Sequence, residues 1–206
     1  LGGDLAPHSS KTRRTMVYLD SLFDLGSENT LLALGNHDTD SMELVREFTG
    51  RPPHYTQHSE GITWLIVNSM DSLCSMVGAQ LEMIKNVCDT IEKSSHLVFM
   101  SHQLIWLLGH PELEPKTGKI INGQVKDCPQ CIHPNNFYQE VYPLFQKVQQ
   151  RGIQVICLAG DIGWKKRKFE FTTADNIHYL ANGIDDQKDE NLALIFQHNV
   201  SKRSLK

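Results

Sequence analysis

Short apolar runs that end in a residue able to bind a metal ion recur along this chain of 206 residues. At three places the run leads into Gly or Ser and then into Asp, Asn or His: Gly35-Asn36-His37-Asp38, Ser101-His102 and Gly160-Asp161; a further block, Gly3-Asp4, follows Gly2 at the very start. Ligands of open α/β sheets gather at the carboxyl ends of the strands. The pattern therefore predicts an α/β fold with a candidate site along one edge of a sheet.

Segments with helical spacing of apolar residues separate these runs, which favours strands alternating with helices in a single domain over 1–206. Helices are predicted over 16–25, 42–48, 80–91 and 137–150, the second capped by Ser41 and the last ended by Gly152. Strands are predicted over 30–34, 62–67, 96–100, 153–159, 177–180 and 192–196. The stretch 109–136, which contains several Pro and Gly, is predicted to be a long irregular loop.

Charge and hydropathy argue against two classes of function. With 20 Lys and Arg against 24 Asp and Glu, the formal net charge is −4, and no nucleic-acid-binding surface is evident. The one dense basic stretch, Lys165-Lys166-Arg167-Lys168, is interpreted as a solvated loop. No run of 18 apolar residues is present, so no transmembrane segment is predicted. The chain begins with Leu, so a signal peptide cannot be assessed and the compartment stays open.

The five cysteines do not form an obvious disulfide framework, because their number is odd and their spacing is scattered. Cys128 and Cys131 form a single CxxC, and His133 could add a third zinc ligand. A structural zinc site needs four ligands, and no second CxxC supplies the rest. We therefore favour a pair of loop thiols, or a labile disulfide, over a zinc site.

Most of the candidate site residues also have a purely structural interpretation. Asp4 and Asp161 could each be a turn residue, since Asp bonds its own backbone in turns. His102 could be a hydrogen-bonded core histidine. The tetrapeptide Gly35-Asn36-His37-Asp38 is the stronger signal, because it places an amide, an imidazole and a carboxylate in succession after an apolar run.

Taken in order, these blocks resemble the signature of the calcineurin-like (purple acid phosphatase-like) metallophosphoesterase superfamily. That signature runs Asp-x-His, Gly-Asp, Gly-Asn-His-Asp/Glu, an isolated His and Gly-His-x-His. The three middle blocks match Gly3-Asp4, Gly35-Asn36-His37-Asp38 and Ser101-His102, with gaps of the family's usual size. The resemblance implies a metallophosphoesterase-like sandwich of two mixed β-sheets flanked by helices. It also implies hydrolysis of a phosphomonoester or phosphodiester.

Two departures from the signature bear on the metal site. Asp-x-His occurs nowhere in the sequence, so we interpret the chain as an N-terminally incomplete copy with its first strand or strands missing. Little activity is then expected from 1–206 alone. The position of Gly-His-x-His reads Gly160-Asp161-Ile162-Gly163, which puts Asp161 and Gly163 in place of the two His. A carboxylate can still bind Mn, Mg, Fe or Zn, whereas glycine offers no side-chain ligand.

The resemblance implies two divalent metal ions, of Mn, Fe, Zn or Mg, about 3.5–4 Å apart and bridged by a carboxylate. The bridging role suits Asp4. The other metal ligands implied by the family are Asn36, His102 and Asp161. Ions held in this way lower the pKa of a bound water, which then attacks phosphorus.

Two further residues have catalytic roles implied by the resemblance. His37 resembles the family residue that contacts phosphate or protonates the leaving group, and Asp38 would hold its imidazole in a useful tautomer. His8, shortly after Asp4, either faces the substrate or is a surface histidine.

Three functions remain open from the sequence. The leading one is a metal-dependent phosphoesterase acting on a phosphate-ester substrate, with the loop 109–136 as the candidate for specificity. The second is a catalytically impaired relative that binds a ligand or partner, which the altered Gly-His-x-His favours. The third is a redox or zinc-binding module built on Cys128 and Cys131.

Overall fold

A computed structural model describes residues 1–121, 133–162, 168–184 and 191–205 of the chain. Its α-helices are α1 (Arg13–Phe23), α2 (Met42–Thr49), α3 (Gly78–Thr90), α4 (Thr117–Ile120) and α5 (Tyr142–Gln150). Short 3-10 turns cover Asp71–Cys74 and Glu114–Lys116, and a π-helical turn over Phe137–Val141 leads into α5. The strands are β1 (Tyr55–Ser59), β2 (Ile62–Ile66), β3 (His96–Ser101), β4 (Gln154–Ala159), β5 (Lys168–Thr172), β6 (His178–Asn182), β7 (His198–Asn199) and β8 (Ser204–Leu205).

A six-stranded mixed sheet in the order β1-β2-β3-β4-β6-β5 organises the fold. The four central strands β2, β3, β4 and β6 run parallel, and the edge strands β1 and β5 are antiparallel to their neighbours. This arrangement confirms the predicted α/β class with a mixed sheet flanked by helices. In the described ranges the second sheet is only the antiparallel pair β7-β8, rather than the second mixed sheet that the resemblance implied.

Local sequence explains where several of these elements begin and end. The Ser41 hydroxyl accepts a hydrogen bond from the Leu44 amide and so caps α2, as predicted. Gly50 ends that helix in the left-handed conformation that glycine adopts without a steric penalty. Strand β3 is buried along its whole length, as expected for a central strand of a parallel sheet covered on both faces.

The largest hydrophobic core lies between one face of the sheet and helices α3 and α5. Phe99 of β3 contacts Phe137 and Phe145 with ring centroids 6.2 and 5.2 Å apart, and all three side chains are fully buried. Burying a Phe side chain is worth about 1.5–3 kcal/mol, so this aromatic cluster fixes the helical layer firmly against β3. On the opposite face, Leu205 of β8 packs against Val98 and its apolar neighbours.

Some predicted elements differ from the observed ones. Residues 30–34 and 192–196 were predicted as strands, but neither stretch forms a strand. The apolar residues of 30–34 are nevertheless shielded, which explains their strand-like pattern, whereas Ile195 in the second stretch is 88% exposed. Strands β1 and β5 were not predicted, because edge strands with one wet face carry more polar residues than central ones.

Several sequence features lie outside the described residues: Cys128, Cys131, Gly163 and the basic residues Lys165 to Arg167. The other three cysteines are free and buried. Among the described residues, no helix has both the length and the apolar character needed to cross a membrane.

Candidate metal centre

The carboxyl ends of β3 and β4 bring His102 and Asp161 together. Ser101 pairs with Ala159 in the parallel ladder, so both strands end at the same level. The main-chain carbonyl of His102 then accepts hydrogen bonds from the amides of Gly160 and Asp161, at 3.1 and 2.8 Å. The side chains of His102 and Asp161 thus lie on the same edge of the sheet, as the sequence predicted, with Nε2 and Oδ2 3.9 Å apart.

The segment Gly2-Gly3-Asp4 crosses this edge and adds a third side chain. Gly3 has a φ of +89°, and a Cβ atom there would lie 2.6 Å from Nδ1 of His102 and 2.7 Å from the Gly35 amide nitrogen. Only glycine fits this conformation and this close approach. The tight passage places Oδ2 of Asp4 3.4 Å from Nε2 of His102.

The tautomer of His102 follows from a hydrogen bond on the side of the ring away from the carboxylates. Nδ1 lies 2.7 Å from the carbonyl oxygen of Gly2, which can only accept, so Nδ1 carries a proton. Nε2 therefore faces Asp4 and Asp161. Within the described residues, Nε2 of His102 and Oδ2 of Asp161 are buried without a hydrogen-bond partner. Buried polar atoms without a partner are uncommon and call for an explanation.

Charge is concentrated at this edge of the sheet. Burial alone would lower the pKa of His102, but the carboxylates of Asp4 and Asp161 outweigh it and raise that pKa to about 9. Burial, reinforced by the charge of Asp4, raises the pKa of Asp161, although His102 and His37 oppose this shift. For Asp4, burial is outweighed by His102 and by the amide of His37, so its pKa is lowered. The two carboxylates thus compete for one imidazole.

Asp38 has a different environment from the one predicted. Its buried carboxylate accepts hydrogen bonds from the amides of Asp4, Leu5 and Gly35, at 2.6, 3.1 and 2.9 Å. It also accepts one from the hydroxyl of Ser9. In the described part of the chain these bonds occupy the carboxylate, and it makes none to the His37 ring. Asp38 therefore holds the loop of 4–9 against the loop of 35–38, which corrects the expectation that it orients His37.

Asn36 and His37 lie on the loop that Asp38 holds in place. The main-chain amide of His37 donates to Oδ1 of Asp4 at 2.9 Å, so this loop is attached directly to the candidate metal ligand. Asn36 is half-buried at the preceding position. The imidazole of His37 is half-buried too, and its ring centroid lies 5.8 Å from that of His8.

Three contributors to the site had little or no signal in the sequence. The carbonyl of Gly2 fixes the tautomer of His102, but a main-chain acceptor has no sequence signature. Ser9 joins the loop of 4–9 to Asp38, and Asp40 lies 3.1 Å from the ring of His8. The position of Asp40 just after the Gly-Asn-His-Asp block was the one available signal.

The donor atoms fit a divalent cation chemically, although the ligand set is not preassembled. In the described ranges, no three His, Cys, Asp or Glu side chains form a group that could hold an ion as they stand. In the part of the chain that the structure describes, Nε2 of His102 and Oδ2 of Asp161 nevertheless lack hydrogen-bond partners, and Asp4 adds a nearby carboxylate. Imidazole nitrogen and carboxylate oxygen are common ligands of Zn and Mn. A cation would satisfy both unpaired atoms and neutralise the crowded carboxylates.

The fold and the site geometry together define an α/β domain with a metallophosphoesterase-like fold. Among solved structures, the chain is similar to a dimetal phosphatase from Danio rerio, with a TM-score of 0.54 and 13% sequence identity over 87% of this chain and 69% of that one. At this identity the similarity establishes the fold alone. No protein-family model matches the chain, and no curated protein matches it.

Proposed function

We propose that this chain is a phosphoester hydrolase domain that depends on a divalent metal ion. The observation that carries the proposal is a pair of buried atoms that have no hydrogen-bond partner among the described residues, Nε2 of His102 and Oδ2 of Asp161, with Asp4 beside them. The fold shared with a dimetal phosphatase supports a phosphate ester as substrate.

Asp4, His102 and Asp161 would hold one ion, with Asn36 as a further ligand from the adjacent loop. The resemblance to the metallophosphoesterases implies a second ion, which Asp4 would also help to hold. Bound divalent ions activate water for attack on phosphorus and neutralise charge on the phosphoryl oxygens. The carbonyl of Gly2 would keep the Nε2 lone pair of His102 available to the ion, because it holds the proton on Nδ1.

His37 is proposed to contact the phosphoryl group from the rim of the site. Its amide donates a hydrogen bond to Oδ1 of Asp4, which would keep its imidazole close to the proposed ion. Asp38 keeps both loops at a fixed distance through its four hydrogen bonds. Preorganisation of this kind contributes to catalysis because the reacting groups need no reorganisation at the moment of reaction.

The most direct test of the site is Asp161→Asn, which keeps the shape of the side chain and removes its charge. In the full-length protein, which is the parent in every test below, we expect this variant to bind Mn and Mg more weakly than the parent, with a smaller loss for Zn, because the harder ions depend more on anionic oxygen. Isothermal titration calorimetry with each metal salt measures affinity and stoichiometry. Asp89→Asn is the matched control, since Asp89 is exposed on α3, away from the site.

Two results would count against the proposal. Equal affinity and stoichiometry for Asp161→Asn and the parent would make Asp161 a turn residue only. Stoichiometric metal binding by the parent without metal-dependent cleavage of 4-nitrophenyl phosphate or bis-4-nitrophenyl phosphate would favour a domain that binds ligands without turnover.

A further inference from the structure

The backbone at His8 adopts a conformation that usually belongs to glycine. Its φ is +87°, in the left-handed region that carries a steric penalty for residues with a Cβ atom. The side chain is 58% exposed, so burial of the imidazole does not offset that penalty. Strained residues of this kind cluster at functional sites, where the surrounding structure holds them in place.

Hydrogen bonds to the His37 loop hold this turn in position. The amide of Ser9 donates to the carbonyl of His37 at 2.8 Å, and the hydroxyl of Ser9 donates to Asp38. The amide of Lys11 closes the turn on the carbonyl of His8 at 3.3 Å. As a result, the rings of His8 and His37 meet edge to face, with centroids 5.8 Å apart and an interplanar angle of 86°.

A carboxylate orients the His8 ring from the other side. Nδ1 of His8 lies 3.1 Å from Oδ2 of Asp40, and an ionised carboxylate can only accept. Nδ1 therefore carries the proton of this hydrogen bond, and Nε2 is the ring atom available to a ligand. An imidazole held by a carboxylate in this way has the arrangement of an acid–base group.

We propose that His8 is a second catalytic imidazole, which gives a proton to the leaving-group oxygen, while His37 contacts the phosphoryl group. This assignment rests on the proposed phosphoesterase function. His8 reaches the substrate from the rim, next to His37, whereas Asp4, His102 and Asp161 lie deeper in the site. Asp40 is a positioning residue, since it acts on the substrate only through His8.

A water oxygen forms a bond to phosphorus as the bond from phosphorus to the ester oxygen breaks, and the bonding electron pair leaves with that oxygen. The Nε2–H of protonated His8 gives its proton to the departing oxygen, which forms the alcohol. The attacking water loses one proton to solvent, and His8 takes up one from solvent before the next cycle. The products are the alcohol and a phosphate anion.

Two esters with different leaving groups test this assignment. 4-Nitrophenol departs as a stabilised anion, whereas an alkyl alcohol must be protonated as it leaves. In His8→Asn we expect the ratio of kcat on 4-nitrophenyl phosphate to kcat on an alkyl phosphate to rise about 10²-fold. Asn tolerates the left-handed backbone and can still bond Asp40, so this variant is expected to fold. Asp40→Asn should shift the same ratio in the same direction but less.

A control variant and a measurement independent of turnover complete the design. His58→Asn removes an exposed histidine on β1 and should leave the ratio unchanged. In the zinc-loaded parent, the imidazole proton resonances of His8, assigned by their loss in His8→Asn, should shift when inorganic phosphate is added. The resonances of His58 should not shift.

The outcomes separate this assignment from the function on which it rests. An unchanged ratio in His8→Asn, or His8 resonances that do not respond to phosphate, overturns the assignment even if the parent is active. A parent that binds metal but cleaves neither ester overturns it too and leaves the metal site standing. A parent that binds no metal overturns both proposals.

Discussion

Two buried histidines at opposite ends of β3 show what makes one end of this sheet a candidate site. His96 begins the strand and His102 follows its last residue, and their exposed fractions are 3% and 2%. Burial lowers the pKa of His96, and the nearby His198 and Arg203 lower it further. Burial also acts to lower the pKa of His102, but two carboxylates reverse the shift and raise it to about 9.

Burial is therefore not what distinguishes the two histidines. His96 lies beside Ser95, whose hydroxyl is 2.7 Å from Nδ1, and its ring centroid is 5.4 Å from that of His198. The neutral hydroxyl of Ser95 and the cationic Arg203 favour an uncharged ring, and this environment would repel a metal ion. The carboxylates around His102 attract positive charge, and a bound cation would neutralise them. The charge of the neighbouring side chains, rather than the depth of burial, therefore distinguishes the carboxyl end of β3 as the candidate site.

The largest expected effect separates the two histidines by metal binding. His102→Ala removes a proposed ligand, so stoichiometric binding of Mn or Zn should be lost. This loss should exceed the roughly 10–100-fold drop in metal affinity that is typical when a residue hydrogen-bonded to a ligand is removed. His96→Asn keeps a group that can bond Ser95 and should retain the parent's stoichiometry. Metal analysis after gel filtration measures both. Loss of metal in His96→Asn with retention of metal in His102→Ala would place the metal site at the His96 end of β3 instead.

The second prediction concerns His37, which shares the carboxyl end with His102 but is not proposed as a ligand. His37→Ala should lower kcat for phosphate-ester hydrolysis by about 10²–10³-fold, because the ring is proposed to stabilise charge that develops on the phosphoryl group in the transition state. Bound metal should stay unchanged, since Asn36 is the ligand proposed from that loop. Steady-state kinetics and metal analysis are measured on the same sample. A large loss of metal would reassign His37 as a ligand.

The third prediction uses thermal stability to compare the two ends of β3. At 100 times its dissociation constant, a metal ion that binds only the folded state adds about 2.7 kcal/mol of stability. For a chain of this size, we expect Tm to rise by roughly 5–10 °C. Differential scanning calorimetry with metal or with a chelator measures the shift. It should persist in His96→Asn and vanish in His102→Ala; equal shifts in the two variants would place the ion elsewhere.

The smallest expected effect is a pH dependence that originates at His96. Because its folded pKa is lowered, the unfolded chain binds the proton more readily. The stability contribution of the neutral ring is therefore fully present above about pH 6.5 and declines as the pH falls toward the folded pKa. His96→Asn should flatten the fall in Tm between pH 7 and pH 5 by a few °C. An identical pH profile for the parent and His96→Asn would show that His96 does not contribute.

Part of the candidate site could be predicted from sequence because strand ends are local features. The buried run of β3 and the Gly before Asp161 indicate where each strand stops, and parallel strands bring their carboxyl ends to one edge. The proximity of His102 to Asp161 was predicted in this way and is observed at 3.9 Å, whereas Asp4, 3.4 Å from His102, follows no strand in the described ranges. The edge strand β1 escaped prediction because its residues are half-exposed and polar.

The sequence by itself determined the alternation of strands and helices, the capped helix α2 and the residues offered at the carboxyl edge of the sheet. Only the tertiary structure decided that Asp38 holds two loops together rather than orienting His37, and that the Gly2 carbonyl sets the tautomer of His102. The physical reason is one of range. Periodicity and caps depend on neighbours within a few residues, whereas the partner of a buried polar atom depends on which distant segment packs against it.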